Sequence, residues 1–321
     1  MSSRPDGGEL ERGTESSLRW FSMRVRRHLG WARREGVGRL IEEDQLNPVQ
    51  RARLAWGKWR WRSAHDMSPR AIPVFLVGVQ RSGTNMLVRG LEESPEFEVR
   101  NENDRTAFHR FRLRGDDVIR RLVTASGHRF VLFKPLCDSH RTLELLDGMR
   151  TPSPGRAIWM YRSVDGRARS AVAKFGPSNL LVLREIAAGR GMDRWQAQGL
   201  SDESLRLVRG FDYERLSPED GAALFWYLRN ALFFDLGLDR RDDVFLASYD
   251  ALIADPERVM RPLCTFLGFP YTPRLVAHIA ERSSGRMSRL GLHPDIRARC
   301  EALGDRLDVA AREKARQFAP G

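Results

Sequence analysis

The sequence predicts an α/β fold with a mostly parallel central sheet flanked by helices and a helical N-terminal extension. Three observations predict it. An unbroken apolar run at residues 73–77, and the mostly apolar stretches at 129–133, 156–161 and 244–248, have the composition of strands buried on both faces. These runs alternate with stretches of helical spacing, which is the rhythm of strand-helix-strand units. Finally, the first run ends at Gly78 and passes through Gln80-Arg81-Ser82-Gly83-Thr84-Asn85 into a helical pattern at Met86, Leu87 and Leu91. A strand, a small-residue loop and a helix N-terminus in succession point several backbone N–H groups and the positive end of a helix dipole at one spot. Such a spot binds phosphate-like anions.

Bulk composition narrows the function classes. The chain has 321 residues, 41% of them hydrophobic, enough for one large core or two modest ones. No apolar run approaches the roughly 20 residues that a membrane span requires. The N-terminus is polar, without the apolar core of a signal peptide, and Cys137, Cys264 and Cys300 are scattered, so a reducing cytoplasm is expected. The net charge of +12 comes almost wholly from arginine spread along the chain, because only Lys58, Lys134, Lys174 and Lys314 are lysines. That distribution does not predict a nucleic-acid partner, and it suits a polyanionic small ligand equally well.

Three regions are expected. Residues 1–17, rich in Gly, Ser and Glu, predict a disordered tail, and 18–68 form a basic Arg/Trp-rich helical extension before the main domain at 69–321. In the extension, Leu18, Phe21, Val25 and Leu29 share a helix face opposite Arg19, Arg24, Arg26 and Arg27. Peripheral membrane binding and self-association through residues 18–62 are both compatible with that pattern.

Along the main domain, residues 85–93 read as a helix stopped by Ser94-Pro95, and 97–104 as a short strand entering an acidic turn that carries Glu102. Residues 105–125 read as one helix packed on the sheet. Lys134-Pro135 ends the second buried strand, and Arg162 ends the third, with Ser170 eight residues later. Ser217-Pro218 opens a long apolar helix, and Asp255-Pro256 opens another that Gly268 stops, with Pro262 predicting a kink. Residues 294–314 read as a final helix.

At this point the residues resemble a family. Val77-Gly78-x-x-Arg81-Ser82-Gly83-Thr84 resembles the 5′-phosphosulfate loop of sulfotransferases, which take their sulfuryl group from 3′-phosphoadenosine 5′-phosphosulfate. Arg162 and Ser170 keep the spacing of the family's 3′-phosphate site, although Ser163 stands where Asp or Asn is frequent. The run Tyr249-x-x-Leu252-x-x-Asp255-Pro256, followed by Phe266-Leu267-Gly268, is a third shared landmark. The resemblance implies a P-loop NTPase-like sulfotransferase fold and a donor held by Arg81, Ser82, Gly83, Thr84, Asn85, Arg162, Ser170 and Arg286. It implies Glu102 as general base, as in the glutamate-base carbohydrate, tyrosylprotein and bacterial members rather than the cytosolic small-molecule enzymes. Lys134 and Arg81 would stabilise the bridging oxygen, with His109 as the alternative base, and no metal is expected.

The acceptor, whether small molecule, carbohydrate or lipid, has no signature in 175–215. The expected location is cytoplasmic, with peripheral membrane attachment compatible. Two other readings stay open: a P-loop kinase-like nucleotide enzyme, although the Walker lysine is missing, and a non-enzymatic basic protein binding membrane or nucleic acid.

Overall fold

The computed structural model of the protein describes residues 48–65, 70–149, 153–279 and 288–319. From Lys58 to the C-terminus the chain forms one compact unit. Its strands in chain order are β1 (Ile72–Gly78), β2 (Phe97–Arg100), β3 (Phe108–His109), β4 (Arg112–Leu113), β5 (Phe130–Phe133), β6 (Arg156–Tyr161) and β7 (Val244–Ser248). The described helices open with α1 (Pro48–Ala64), α2 (Thr84–Glu92), α3 (Asp116–Thr124), α4 (Thr142–Gly148) and α5 (Val164–Phe175). They continue with α6 (Ser178–Ala187), α7 (Asp202–Arg209), α8 (Pro218–Asp235), α9 (Tyr249–Ala254), α10 (Pro256–Leu267) and α11 (Pro294–Gln317).

Five strands make one sheet in the order β2-β5-β1-β6-β7, with every neighbouring pair parallel. The apolar continuity of these strands has a direct cause. Phe75, Val77, Trp159 and Tyr161 face one core with the buried side of α8, while Val74, Leu76, Ile158 and Met160 face a second core with α2 and α10. Each strand therefore needs apolar residues on both faces, and each fully buried Leu or Phe contributes about 1.5–3 kcal/mol.

Helix ends follow their local chemistry. Ser217 and Asp220 form a reciprocal capping box ahead of α8, with Pro218 in its first turn. Asp255 accepts from Arg258 N at the start of α10, and Gly268 ends that helix in the left-handed region at φ 74°. Helix α10 continues through Pro262 from Pro256 to Leu267.

One expected element is corrected. The single helix predicted over 105–125 is a two-residue hairpin, β3 and β4, followed by α3 from Asp116. The hairpin tip places Arg110 and Phe111 at φ 48° and 68°, where a right-handed helix cannot continue. Asp138, fully buried, fixes the returning strand by accepting from Leu113 N at 2.7 Å and Arg112 Nε at 2.5 Å.

The topology selects a site. From β1 the chain crosses to β2 on one side of the sheet, whereas from β6 it crosses to β7 on the other. In an open parallel sheet the crevice at such a reversal, outside the carboxyl ends of the strands, is where ligands bind. Here it lies between the ends of β1 and β6. Gly78 ends β1 opposite Met160 at φ 122°, and a Cβ there would collide with the Met160 carbonyl oxygen. Only glycine lets the two strands run side by side up to the loop. Gly78→Ala is accordingly expected to lose about 2–4 kcal/mol in urea denaturation, and an unchanged midpoint would show that the pairing tolerates a side chain.

Candidate anion-binding site

The loop after β1 is built by backbone geometry. Arg81 adopts φ 71°, which for a non-glycine residue costs about 1–3 kcal/mol and turns the chain back toward α2. Gly83, at φ 85° and ψ 12°, is the N-cap of α2 and offers no side chain to its own helix. A Cβ at Gly83 would strike the ring of Tyr249, so the close approach of loop and ring requires glycine. The start of α2, with its positive dipole end, therefore faces the crevice without a side-chain cap.

The second loop meets the first. Arg81 Nε donates to Ser170 Oγ at 3.0 Å, joining residues 89 apart in sequence. Arg162, at the end of β6, lays its guanidinium over the Tyr249 ring at 4.4 Å from the centroid. Tyr249 thus touches both loops, packing against Gly83 on one side and carrying Arg162 on the other. Sequence reasoning gave Tyr249 only a supporting part. Its signal was the ring itself, placed one residue after the carboxyl end of β7. Asp250 holds the start of the loop after β6, accepting from Ser163 N at 2.6 Å and Ser163 Oγ at 3.1 Å. Ser163 is thereby tied down by a carboxylate from the neighbouring strand's end.

Positive charge is concentrated behind these loops. Arg167 is fully buried, and donates to the Gln80 carbonyl at 3.2 Å, Asn179 Oδ1 at 3.0 Å and the Ala222 carbonyl at 2.7 Å. Burial lowers its pKa to about 9, and Arg81 pushes the same way. Burial likewise depresses Arg162; Tyr249 and Asp250 oppose that effect, while Arg81 and Arg169 add to it. Arg169 Nη2 donates to the Ser288 carbonyl at 2.7 Å. Asp165, on the same helix, takes a bidentate pair from Arg297 and the N–H of Leu290. Among the described residues, Ser82 Oγ is fully buried without a hydrogen-bond partner, which is the state of a hydroxyl awaiting a ligand or water.

The third part of the rim carries an acid and a lysine. Lys134, only 7% exposed at the end of β5, donates from Nζ to Asn85 Oδ1 at 2.7 Å and lies 3.9 Å from Glu102 Oε2. Glu102 stands in the turn after β2. Burial raises its pKa above the ordinary carboxylate range, partly offset by Lys134 and a hydrogen bond from the Leu136 backbone. A carboxylate held this way, beside a cation, can take a proton from a neighbouring hydroxyl. His109 is exposed on the β3 hairpin.

Ser139 couples this part of the rim to the loop: its Oγ accepts from Gly78 N at 3.0 Å and lies 2.9 Å from the Gly78 carbonyl. Beyond it, Gly199 packs against His140, and the buried Arg229 donates to the Gln198 carbonyl at 2.8 Å and caps Trp195 at 5.6 Å. His140 is kept neutral, its pKa pushed down to about 3 by burial and by Arg229, Arg112 and Arg141. This packing fixes residues 195–199, which the sequence left unread, against the segment that follows Lys134.

Of the residues predicted for donor binding, Arg81, Ser82, Gly83, Thr84, Asn85, Arg162 and Ser170 all lie on the two loops or the helices that follow them. Arg286 lies outside the described residues, and so do residues 18–47 of the extension. Arg167 and Tyr249 were missed as parts of the site.

Fold and site together define an α/β protein with an arginine-rich crevice at the reversal point of a parallel sheet. No protein-family model matches the chain, and no curated protein matches it. Among solved structures it is similar to a sulfotransferase from Alicyclobacillus acidocaldarius, at 20% identity and a TM-score of 0.41, covering 76% of this chain and 95% of that one. It is similar to the sulfotransferase domain of the curacin biosynthetic pathway at 13% identity and a TM-score of 0.46, covering 75% and 99%. A mouse sulfotransferase complexed with PAP is matched at 14% identity and a TM-score of 0.34, covering 70% and 67%.

Replacing Arg167 with methionine removes the donor to Gln80, Asn179 and Ala222 together. The variant is expected to lose about 2–4 kcal/mol in chemical denaturation, since buried acceptors left unpaired cost roughly 1–3 kcal/mol each and the apolar replacement relieves part of the cost of burying charge. Wild-type stability in Arg167→Met would mean that the loop does not lean on this guanidinium.

Proposed function

We propose that the protein is a sulfotransferase that moves a sulfuryl group from 3′-phosphoadenosine 5′-phosphosulfate to a hydroxyl or amine of an acceptor. One observation carries the reading: Arg81 from the first loop bonds Ser170 from the second, with Arg162 at the end of β6 laid over the Tyr249 ring that packs against the first loop. Two anion sites on separate loops that meet through their own side chains suit a ligand with a charged group at each end. The orphaned Ser82 hydroxyl and the surplus of guanidinium groups also fit a polyanionic nucleotide. The bound donor would supply an activated sulfuryl group on a good leaving group.

In this reading the N–H groups of Ser82 to Asn85 and the Arg81 guanidinium hold the 5′ end, and Arg162 and Ser170 hold the 3′-phosphate. Arg169 and Arg167 add long-range charge from behind. Lys134 and Arg81 stabilise the charge that accumulates on the leaving oxygen, while Asn85 orients the ammonium. Glu102 receives the acceptor's proton, and Lys134, 3.9 Å away, favours its ionised form. Arginine at position 81 is a poor proton donor, so general-acid assistance falls to Lys134. Residues 195–199 and the hairpin of β3 and β4 would shape the acceptor side.

Calorimetry with 3′-phosphoadenosine 5′-phosphate and with ATP tests the donor class. The former is expected to bind more tightly, with affinity falling roughly 10- to 100-fold in Arg162→Ala; preference for ATP would favour the kinase-like reading. Glu102 has its own test. The ionised carboxylate is the working form and its pKa is raised, so turnover falls on the acid side at a higher pH than a surface glutamate would set. Glu102→Gln is expected to lower kcat about 10²- to 10⁴-fold, remove that acid limb and leave nucleotide affinity nearly intact. Full turnover in this variant would exclude Glu102 as base.

A further inference from the structure

Away from the crevice, a cleft of about 690 Å³ opens between α7, α8 and α11. That is the volume of a small-molecule site. Helix α8 separates the cleft from the sheet. Its Asn230 and Phe233 meet Trp159 of β6, whereas Tyr227, Ala231 and Phe234 line the cleft together with Leu207 and Leu303.

The directions of the three helices decide what the cleft offers. Helices α8 and α11 run the same way: His293 N donates to Asp220 Oδ1 at 2.6 Å near their starts, and Arg306 lies over the Phe234 ring, 4.2 Å from its centroid, near the end of α8. Helix α7 runs the opposite way. Glu203, in its first turn, acts electrostatically on Asp235 at the end of α8, while Phe211, just past its last turn, meets the His293 ring at 5.7 Å. Two groups of charge therefore stand apart along the cleft. At one end are the carboxylates of Glu203 and Asp235 with Arg306, and toward the other are the guanidinium groups of Arg206 and Arg299. Tyr227 and Phe234, like Arg299 and Arg306, are two helical turns apart, about 10 Å.

Neither end is balanced. Among the described residues none of these five charges belongs to an ion pair, although Arg297 with Asp165 and Arg289 with Glu301 do pair on or beside the same helix α11. Two acids meet one arginine at the first end, and at the second two arginines meet no acid among the lining residues. Burial and then the charge of Glu203 raise the Asp235 pKa, and Arg306 offsets them only in part.

We propose that this cleft binds a small molecule that carries a cationic group and an anionic group at the two ends of an apolar body. The cation lies between Glu203 and Asp235, the anion lies on Arg206 and Arg299, and the body covers Tyr227, Ala231 and Leu303. A ligand with one charge leaves the other end unanswered. The proposal is independent of the chemistry at the sheet.

The test is calorimetry of the full chain with 8-aminooctanoate, whose extended length matches two helical turns, and with octanoate and octylamine as one-ended controls. The amino acid is expected to bind in the millimolar range or tighter, and about fivefold to tenfold more tightly than either control. Arg206→Gln/Arg299→Gln is expected to weaken it about fivefold and leave octylamine unchanged; Glu203→Gln/Asp235→Asn is expected to weaken it similarly and leave octanoate unchanged. Ala302→Trp, at an exposed position of α11 on the cleft, is expected to remove binding without altering any charge or the melting temperature. No saturable binding of 8-aminooctanoate up to about 10 mM, binding no tighter than that of the controls, or charge variants that bind like the wild type each overturns the proposal. So does binding that Ala302→Trp leaves intact, and if Arg162→Ala then removes it, the ligand sits in the crevice at the sheet.

Discussion

Like charges crowded into one small volume are the condition on which this site depends. Arg81, Arg162, Arg167 and Arg169 converge at two loops, and Arg162 and Arg167 each feel both desolvation and the charge of Arg81. Such an arrangement is unfavourable on its own. It persists because the β-sheet leaves it no alternative: β1 and β6 run parallel to the same level, their following loops share one crevice, and Arg167 is committed to three acceptors in the wall. A bound anion would relieve the repulsion, so the energy stored in folding returns as affinity.

The aromatic ring of Tyr249 makes this crowding orderly. It comes from the third carboxyl end on that side of the sheet, fills the space that Gly83 vacates, and gives Arg162 a flat face to lie on. A guanidinium over a ring is held in orientation without being neutralised. The ring thus fixes the position of the cation, and Asp250 adds a favourable charge beside it. The carboxylates nearby also hold backbone and structural arginines: Asp250 accepts from Ser163, Asp165 from Arg297 and Leu290, and Asp138 from Arg112 and Leu113.

Much of this was legible in the sequence because burial on both faces leaves an apolar strand no choice of partner, and because cations that follow such strands must emerge on one rim. Hence the strands, the first loop, Arg162, Ser170, Lys134 and Glu102 could all be placed before any coordinates. The hairpin of β3 and β4 could not, since its turn rests on Arg110 and Phe111 in left-handed conformations that neither residue type advertises. Arg167 was hidden by abundance: among 50 arginines, a count that follows from 54 basic residues less four lysines, nothing in the letters marks Arg167 as fully buried. Tyr249 was read as scaffolding because its motif looked structural, and its ring reaches the loop only through the pairing of β7 with β6.

Ser139 has a mechanical consequence. By holding both the N–H and the carbonyl side of Gly78, it splices the segment after Lys134 onto the hinge of the first loop. Ammonium and loop then travel as a single rigid jig, so breathing of the sheet edge would displace them together and leave the gap between them constant.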